Sequence, residues 1–385
     1  MSLHYCLLQF VFWFMYGDTI NYASVYLLHC NLSNFMIGIL VAVGSVLTVL
    51  LQPSISAYAD KDKSISLKWI IFILTGIQAV VALILFVTPK RPVPLTFIIY
   101  VVAVLLMQML IPFINALGTE SSRQGITINF GIARGVGSLG YAAMSYSMGI
   151  LFAHFNPQLH PLTVLIAALL LMLLLFLYPF KKVNRGADKN KKKTESANPL
   201  VFLKHYKSFA LALAGWVLIY ISHVFINNYT YQIVVSKGGT SAHQGTAMAI
   251  ASVVELPIMF LFTAMLKKAK SVTWFKISGV FFTLKTLGTL LAGSMPVFYA
   301  VQLFQMFGWG LISVASVYYV DSIMEEQDRI KGQAYMTMSY TIASIIGSLS
   351  GGSLIDLLGV PAMLITGSVS AALGTLVVFR ATKGK

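Results

Sequence analysis

Residues 181–199 read KKVNRGADKNKKKTESANP, a basic run without apolar periodicity in the middle of a chain that is otherwise almost wholly apolar. Its charge and lack of pattern mark it as a flexible linker. Six hydrophobic stretches precede it, at 5–29, 34–58, 67–88, 94–117, 128–154 and 161–180, and six follow, at 207–233, 242–266, 273–293, 297–320, 331–357 and 361–380. Each approaches or exceeds the roughly 20 residues that a helix needs to cross a bilayer. Over all 385 residues, 57% are hydrophobic and only 10% charged, and mean hydropathy is +0.80. These values lie outside the range of soluble globular domains. The chain therefore reads as an all-α integral membrane protein with twelve transmembrane helices: six-helix bundles at 1–180 and 207–385, joined by a basic linker at 181–206. No room is left for a separate soluble domain.

The net charge of +15 would suggest nucleic acid or acidic partners in a soluble protein, but here its placement gives a topology. Lysines and arginines gather in alternate loops: Lys61, Lys63 and Lys68 after the second span, the linker cluster after the sixth, and Lys267, Lys268, Lys270 and Lys276 after the eighth. Arg329 and Lys331 follow the tenth, and Arg380, Lys383 and Lys385 close the chain. The opposite loops carry only Lys90, Arg91 and Lys237. The positive-inside rule puts both termini and the linker in the cytoplasm. The linker is read first as a topology determinant and solvated connection, with attraction to anionic lipid as the alternative, and not as a nucleic-acid site. MSLHYCLLQF has no basic start and runs straight into a span, so the first helix is expected to serve as its own insertion signal. Cys6 and Cys30, both at membrane depth, offer no disulfide framework or thiolate metal site.

Charges inside the spans are the functional candidates. Glu255 interrupts AIASVVELPIMFLF, Lys285 lies in FFTLKTLGTLL, and Asp18 lies in FWFMYGDTINYA. An ionisable group at bilayer depth costs about 2.5–3.5 kcal/mol even on lenient insertion scales, so each should face a partner or a watery cavity. Glu255 and Lys285 can pair with each other, and Asp18 can pair with Lys285 or Arg134. His223 is a further titratable candidate. Asn21, Tyr22, Asn227, Asn228, Tyr231, Gln302 and Gln305 could donate or accept for a hydroxylated ligand, and interhelical hydrogen bonding accounts for any one of them equally well. The two halves echo each other weakly at a separation of about 200 residues, Pro53 against Pro257 and GVGSLGYAA against IIGSLSGGSL, as a parallel duplication of a six-helix unit would give.

LLQPSISAYADKDKSISLKW resembles the loop between helices 2 and 3 of the major facilitator superfamily, with Asp60 at the motif's acid and Ser56 where a glycine is usual. The resemblance implies a gating role for Asp60 through pairing with a neighbouring helix. INFGIARGVGSLGYAA and VVELPIMF further resemble helices 5 and 8 of the lactose-permease-like branch. That likeness puts Arg134 on the family's substrate-binding arginine, Tyr141 on its sugar-stacking aromatic, Glu255 on its sugar- and proton-binding carboxylate and Lys285 on a helix 9 arginine. The chain also departs from the pattern. The helix 4 carboxylate falls on Asn115, with Glu120 the nearest acid, and the helix 10 His and Glu fall on Gln305 and Gly308. Galactoside recognition and the permease's proton machinery therefore do not carry over whole.

These readings imply a secondary active transporter that imports a small polar or aromatic solute, a sugar first, by proton symport with alternating access. A nucleoside or aromatic-acid symporter and a proton-coupled efflux antiporter are the alternatives. Substrate binding is expected from Asp18, Tyr22, Arg134, Tyr141, Asn228, Glu255, Lys285 and Gln305, and proton coupling from Glu255 and Asp18. No HExxH, paired histidines, Gly-x-Ser-x-Gly or phosphate-binding loop is present, so an enzyme is not expected, nor a cofactor or metal. The partners implied are solute, proton and lipid. The setting is the cytoplasmic membrane, with the protein a monomer.

Overall fold

The computed structural model describes residues 2–59, 65–124, 128–180 and 199–383. Asp60 and most of the basic linker lie outside them. The elements are α1 (Ser2–Asn21), α2 (Ala23–His29), α3 (Asn34–Ala59), α4 (Leu67–Val87), α5 (Val93–Arg123), α6 (Phe130–His154), α7 (His160–Leu177), α8 (Pro199–His205), α9 (Lys207–Asn228), α10 (Thr230–Ser236), α11 (Ser241–Val254), α12 (Leu256–Met265), α13 (Ser271–Leu291), α14 (Met295–Gln302), α15 (Leu311–Ile323) and α16 (Arg329–Ala381). Helix occupies each of the twelve intervals expected from hydropathy. Among the described residues, nine stretches are long and apolar enough to cross a membrane by length and composition. Two helices outside those nine, α1 and α13, carry Asp18 and Lys285. The stretch ending in α16 is two helices in succession, because Gly359 breaks the helix with φ 84°, ψ 170° just before Pro361.

By its internal contacts the chain divides into two compact units. One contains α1 to α7 together with Val234–Val253, and the other contains α8 to Ile233 and everything from Val254 onward. Thus α11, which lies in the second half of the sequence, packs with the first unit. Residues 199–205, expected as linker, form α8, whose Phe202 ring stacks on Tyr335 with centroids 5.0 Å apart.

Packing within each unit follows one plan. In the first, α1 lies against α6 and α7, α4 against α7, and α3 against α5. In the second, α9 lies against α16, α13 against α16, and α12 against α15. The sequence echo GVGSLG against IIGSLS falls on the equivalent contacts. Gly140 of α6 meets the backbone carbonyl of Phe10 on α1, and Gly347 of α16 meets Val224 on α9. Without a hydrophobic drive between helices in lipid, such close approach supplies the van der Waals packing that holds the bundles. At Gly140 the neighbour is backbone and cannot rotate away. Gly140→Val is expected to cost about 1–3 kcal/mol through overpacking, read as a lowered Tm of the purified protein in detergent; an unchanged Tm would show that α1 and α6 can separate without penalty.

Candidate functional site

Glu255 stands at a break. Pro257 has no N–H for the carbonyl one turn earlier, and the helix is interrupted at Glu255 between α11 and α12. The partner region is irregular too: between α14 and α15 the backbone tightens into a 3-10 turn at Leu303–Gln305 and then widens into a π-helix at Met306–Gly310. Such π segments occur frequently at functional sites. Gly310 lets the two irregular segments approach, since a Cβ there would lie 3.2 Å from the Cα of Glu255.

The two irregularities meet in a hydrogen-bonded chain. Gln305 Nε2 donates to Glu255 Oε1 at 2.7 Å, and Lys285 Nζ on α13 donates to Gln305 Oε1 at 2.5 Å. All three side chains are buried: Glu255 is 7% exposed, Gln305 5% and Lys285 2%. The opposite charges expected to pair are thus linked through a neutral amide. The amide has one workable orientation, because a carboxylate only accepts and an ammonium only donates. Among the described residues Gln305 is the hydrogen-bond partner of Lys285, which leaves two ammonium protons for an incoming oxygen.

An aromatic and amide cluster belongs to the same unit. His223 on α9 stacks on Trp309 of the π-helix, with centroids 4.7 Å apart and planes at 10°, and its Nε2 lies 2.9 Å from Asn227 Nδ2. Asn228 donates to Ser348 Oγ at 2.9 Å. Trp309 was not singled out in the sequence; its only signal there is the FGWG run, glycines flanking a tryptophan inside a span.

In the first unit the expected residues form two groups. Arg134 sits over the Trp13 ring at 4.4 Å and donates to Ser138 at 3.2 Å. Trp13 in turn donates to Gln9 at 2.9 Å, and Gln9 to Tyr5 at 2.8 Å. Tyr141 accepts from Asn21. The Tyr22 hydroxyl is turned to the carbonyl of Ser145 at 2.5 Å, which makes it an interhelical contact here. Asp18, fully buried, forms the second group. Among the described residues its partners are neither Lys285 nor Arg134, which the sequence offered as the alternative to a cavity, but Thr163, which donates to Oδ2 at 2.6 Å, and His160, whose Nε2 lies 3.7 Å from Oδ1. Asn115 is exposed and Glu120 buried. Among the described residues no three His, Cys, Asp or Glu side chains are grouped to hold a metal ion.

The model of one transporter family matches residues 2–364. The chain belongs to the MFS_1 like family. This family member is therefore a multi-pass membrane transporter of the major facilitator superfamily and not an enzyme, and the resemblance to the lactose-permease-like branch agrees with that assignment. Its fold is similar to the crystal structure of the nucleoside transporter NupG (TM-score 0.82, 15% identity, covering 100% of this chain and 99% of that one). A mutant of NupG gives the same TM-score at 13% identity, covering 99% and 98%. A structure described as a bacterial metal transporter follows at TM-score 0.71 and 11% identity, covering 99% and 98%. No curated protein matches the sequence.

Proposed function

We propose that this protein is a proton-coupled importer of a small hydroxylated solute, with nucleosides ahead of free sugars. The observation that carries the reading is the buried chain Glu255–Gln305–Lys285 at two helix irregularities. Static buried ion pairs are poor stabilisers, and apolar residues would serve a purely structural role as well. A carboxylate and an ammonium held apart by one amide instead offer acceptor and donor positions to a polyhydroxylated ligand. The ordering of substrates draws support from the whole-length fold likeness to a protein described as a nucleoside transporter; the aromatic face of Trp309, in the unit of Glu255, suits a base or a sugar ring.

In this mechanism Glu255 binds the proton, with Asp18 as the second coupling acid. Loss of the Glu255 charge weakens its hold on Gln305 and, through the amide, on Lys285. Solute then loads onto the protonated carrier, alternating access carries both across, and the proton leaves on the cytoplasmic side. Asn228 would add to the solute contacts of the second unit, Arg134 and Tyr141 would supply those of the first, with Tyr22 available only if its bond to Ser145 opens, and Asp60 would serve the gate. Both termini face the cytoplasm in this reading, in a monomer of the cytoplasmic membrane.

Uptake into proteoliposomes holding only this protein, driven by an inward proton gradient and screened with labelled uridine, adenosine, disaccharides and aromatic acids, tests it. Nucleoside accumulation that collapses with a protonophore is expected. Sugar accumulation alone would replace the substrate class, and proton-independent equilibration would remove the symport.

A further inference from the structure

We propose that Asp18 and His160 form a proton-binding pair internal to the first bundle, with Thr163 as its positioning residue. This deepens the reading of Asp18 as a coupling acid by giving the proton a second acceptor that the sequence did not suggest. The argument begins with the ring. His160 Nε2 lies 3.0 Å from the backbone carbonyl of Asp18. A carbonyl can only accept, so Nε2 carries the hydrogen, and Nδ1 of the neutral imidazole presents a lone pair. Among the described residues Nδ1 has no hydrogen-bond partner, nor does Asp18 Oδ1, and the two residues are 2% and 0% exposed. Buried polar atoms are almost always satisfied. Two unsatisfied acceptors, one on each member of an acid–base pair, are the vacancies a proton fills: on Oδ1 it gives a neutral acid beside a neutral imidazole, and on Nδ1 an imidazolium beside a carboxylate.

The surroundings suit a proton better than a solute. Thr163 holds Oδ2 at 2.6 Å, so the carboxyl is fixed with Oδ1 on the imidazole side. Tyr26 stacks on the imidazole at 5.1 Å, and the rings of Tyr100 and Phe152 approach it at 6.1 and 5.9 Å. The cavity beside His160, lined also by Thr19, Gln78 and Tyr100, has room for about one water molecule. Gln78 Oε1, also buried and unpartnered, gives such a water an acceptor. The other titratable and charged groups facing the pair are Tyr22, Tyr26 and Tyr100, with Cys30 near Tyr26 and Arg91 donating to the Tyr26 hydroxyl. No second carboxylate is among them.

The test needs no substrate, so its outcome is separate from that of the uptake screen. Infrared difference spectra of the reconstituted full-length protein are taken between about pH 5 and about pH 9. A protonated-carboxyl component should be lost on alkalinisation, be absent at all pH values from Asp18→Asn and be retained in Glu255→Gln. His160→Asn and Thr163→Val should each move its midpoint by about one pH unit, a change that a merely structural role would not give. Should Asp18→Asn fail to fold, carboxyl-¹³C aspartate in the wild-type chain separates aspartate from glutamate bands without mutation. A wild-type-like spectrum in Asp18→Asn, or an aspartate band that ignores both pH and His160→Asn, would overturn the pair. Titration of the pair without proton-coupled uptake would retain the site and discard the symport.

Discussion

Glu255→Gln is expected to leave solute exchange across the membrane intact and to abolish accumulation against a gradient. The amide is nearly isosteric and can still accept from Gln305 Nε2, so the geometry at the α11–α12 break survives. What disappears is the only group in the Glu255–Gln305–Lys285 chain that can gain and lose a negative charge. One proton moving down a 100 mV potential is worth about 2.3 kcal/mol, which supports roughly 50-fold accumulation of a neutral solute at one-to-one coupling. In Glu255→Gln proteoliposomes the inside and outside concentrations should become equal, while counterflow of labelled against unlabelled solute continues. Unchanged uphill uptake would remove Glu255 from the coupling reaction.

The second large effect is expected at Gln305→Leu, on stability and transport together. The substitution removes the donor to Glu255 and the acceptor of Lys285 in one step, leaving the buried ammonium without its amide acceptor. Breaking a buried charge network in this way costs about 3–5 kcal/mol, visible as a large fall in Tm in detergent. Adding Lys285→Met should restore much of that stability, because the stranded charge is gone, yet it should not restore transport. The pair of residues is in contact, so this departure from additivity is itself the measurement. A Gln305→Leu protein within about 0.5 kcal/mol of wild type would show that the bridge carries no energy, and a double variant that regained transport would make the network structural only.

Hydropathy alone displayed the helices, because twenty-residue apolar runs have few other meanings, and the charges inside them stood out by their cost in lipid. Glu255, Lys285 and Gln305 were each visible as candidates in this way. Their connection was not. It depends on a 3-10 turn followed by a π-helix, and a reading based on one helical period cannot see a local change of period. The partner of Asp18 escaped for a different reason. His160 stands one residue before the apolar run at 161–180 and looks like loop, whereas α7 begins at His160 and buries it. Nor does hydropathy say which bundle a span joins: the apolar pattern of SAHQGTAMAIASVV does not mark α11 as packing with the first unit. Small residues did carry part of that information. Gly245 of α11 comes against the Ser145 carbonyl of α6, where any side chain would collide.

The π-helix at Met306–Gly310 has one further consequence. A π turn holds one residue more than an α turn over the same hydrogen-bonded span, and one residue is about 100° of rotation around a helix axis. Deleting a single residue there would remove the π turn, but Gln305 and Tyr319 could no longer both keep their present faces. Gln305 would turn from Glu255, or Tyr319 would lose its stack on Phe275, now 4.1 Å between centroids. Chain length at this point acts as an address: the surplus residue, whatever its side chain, aims the amide at the carboxylate.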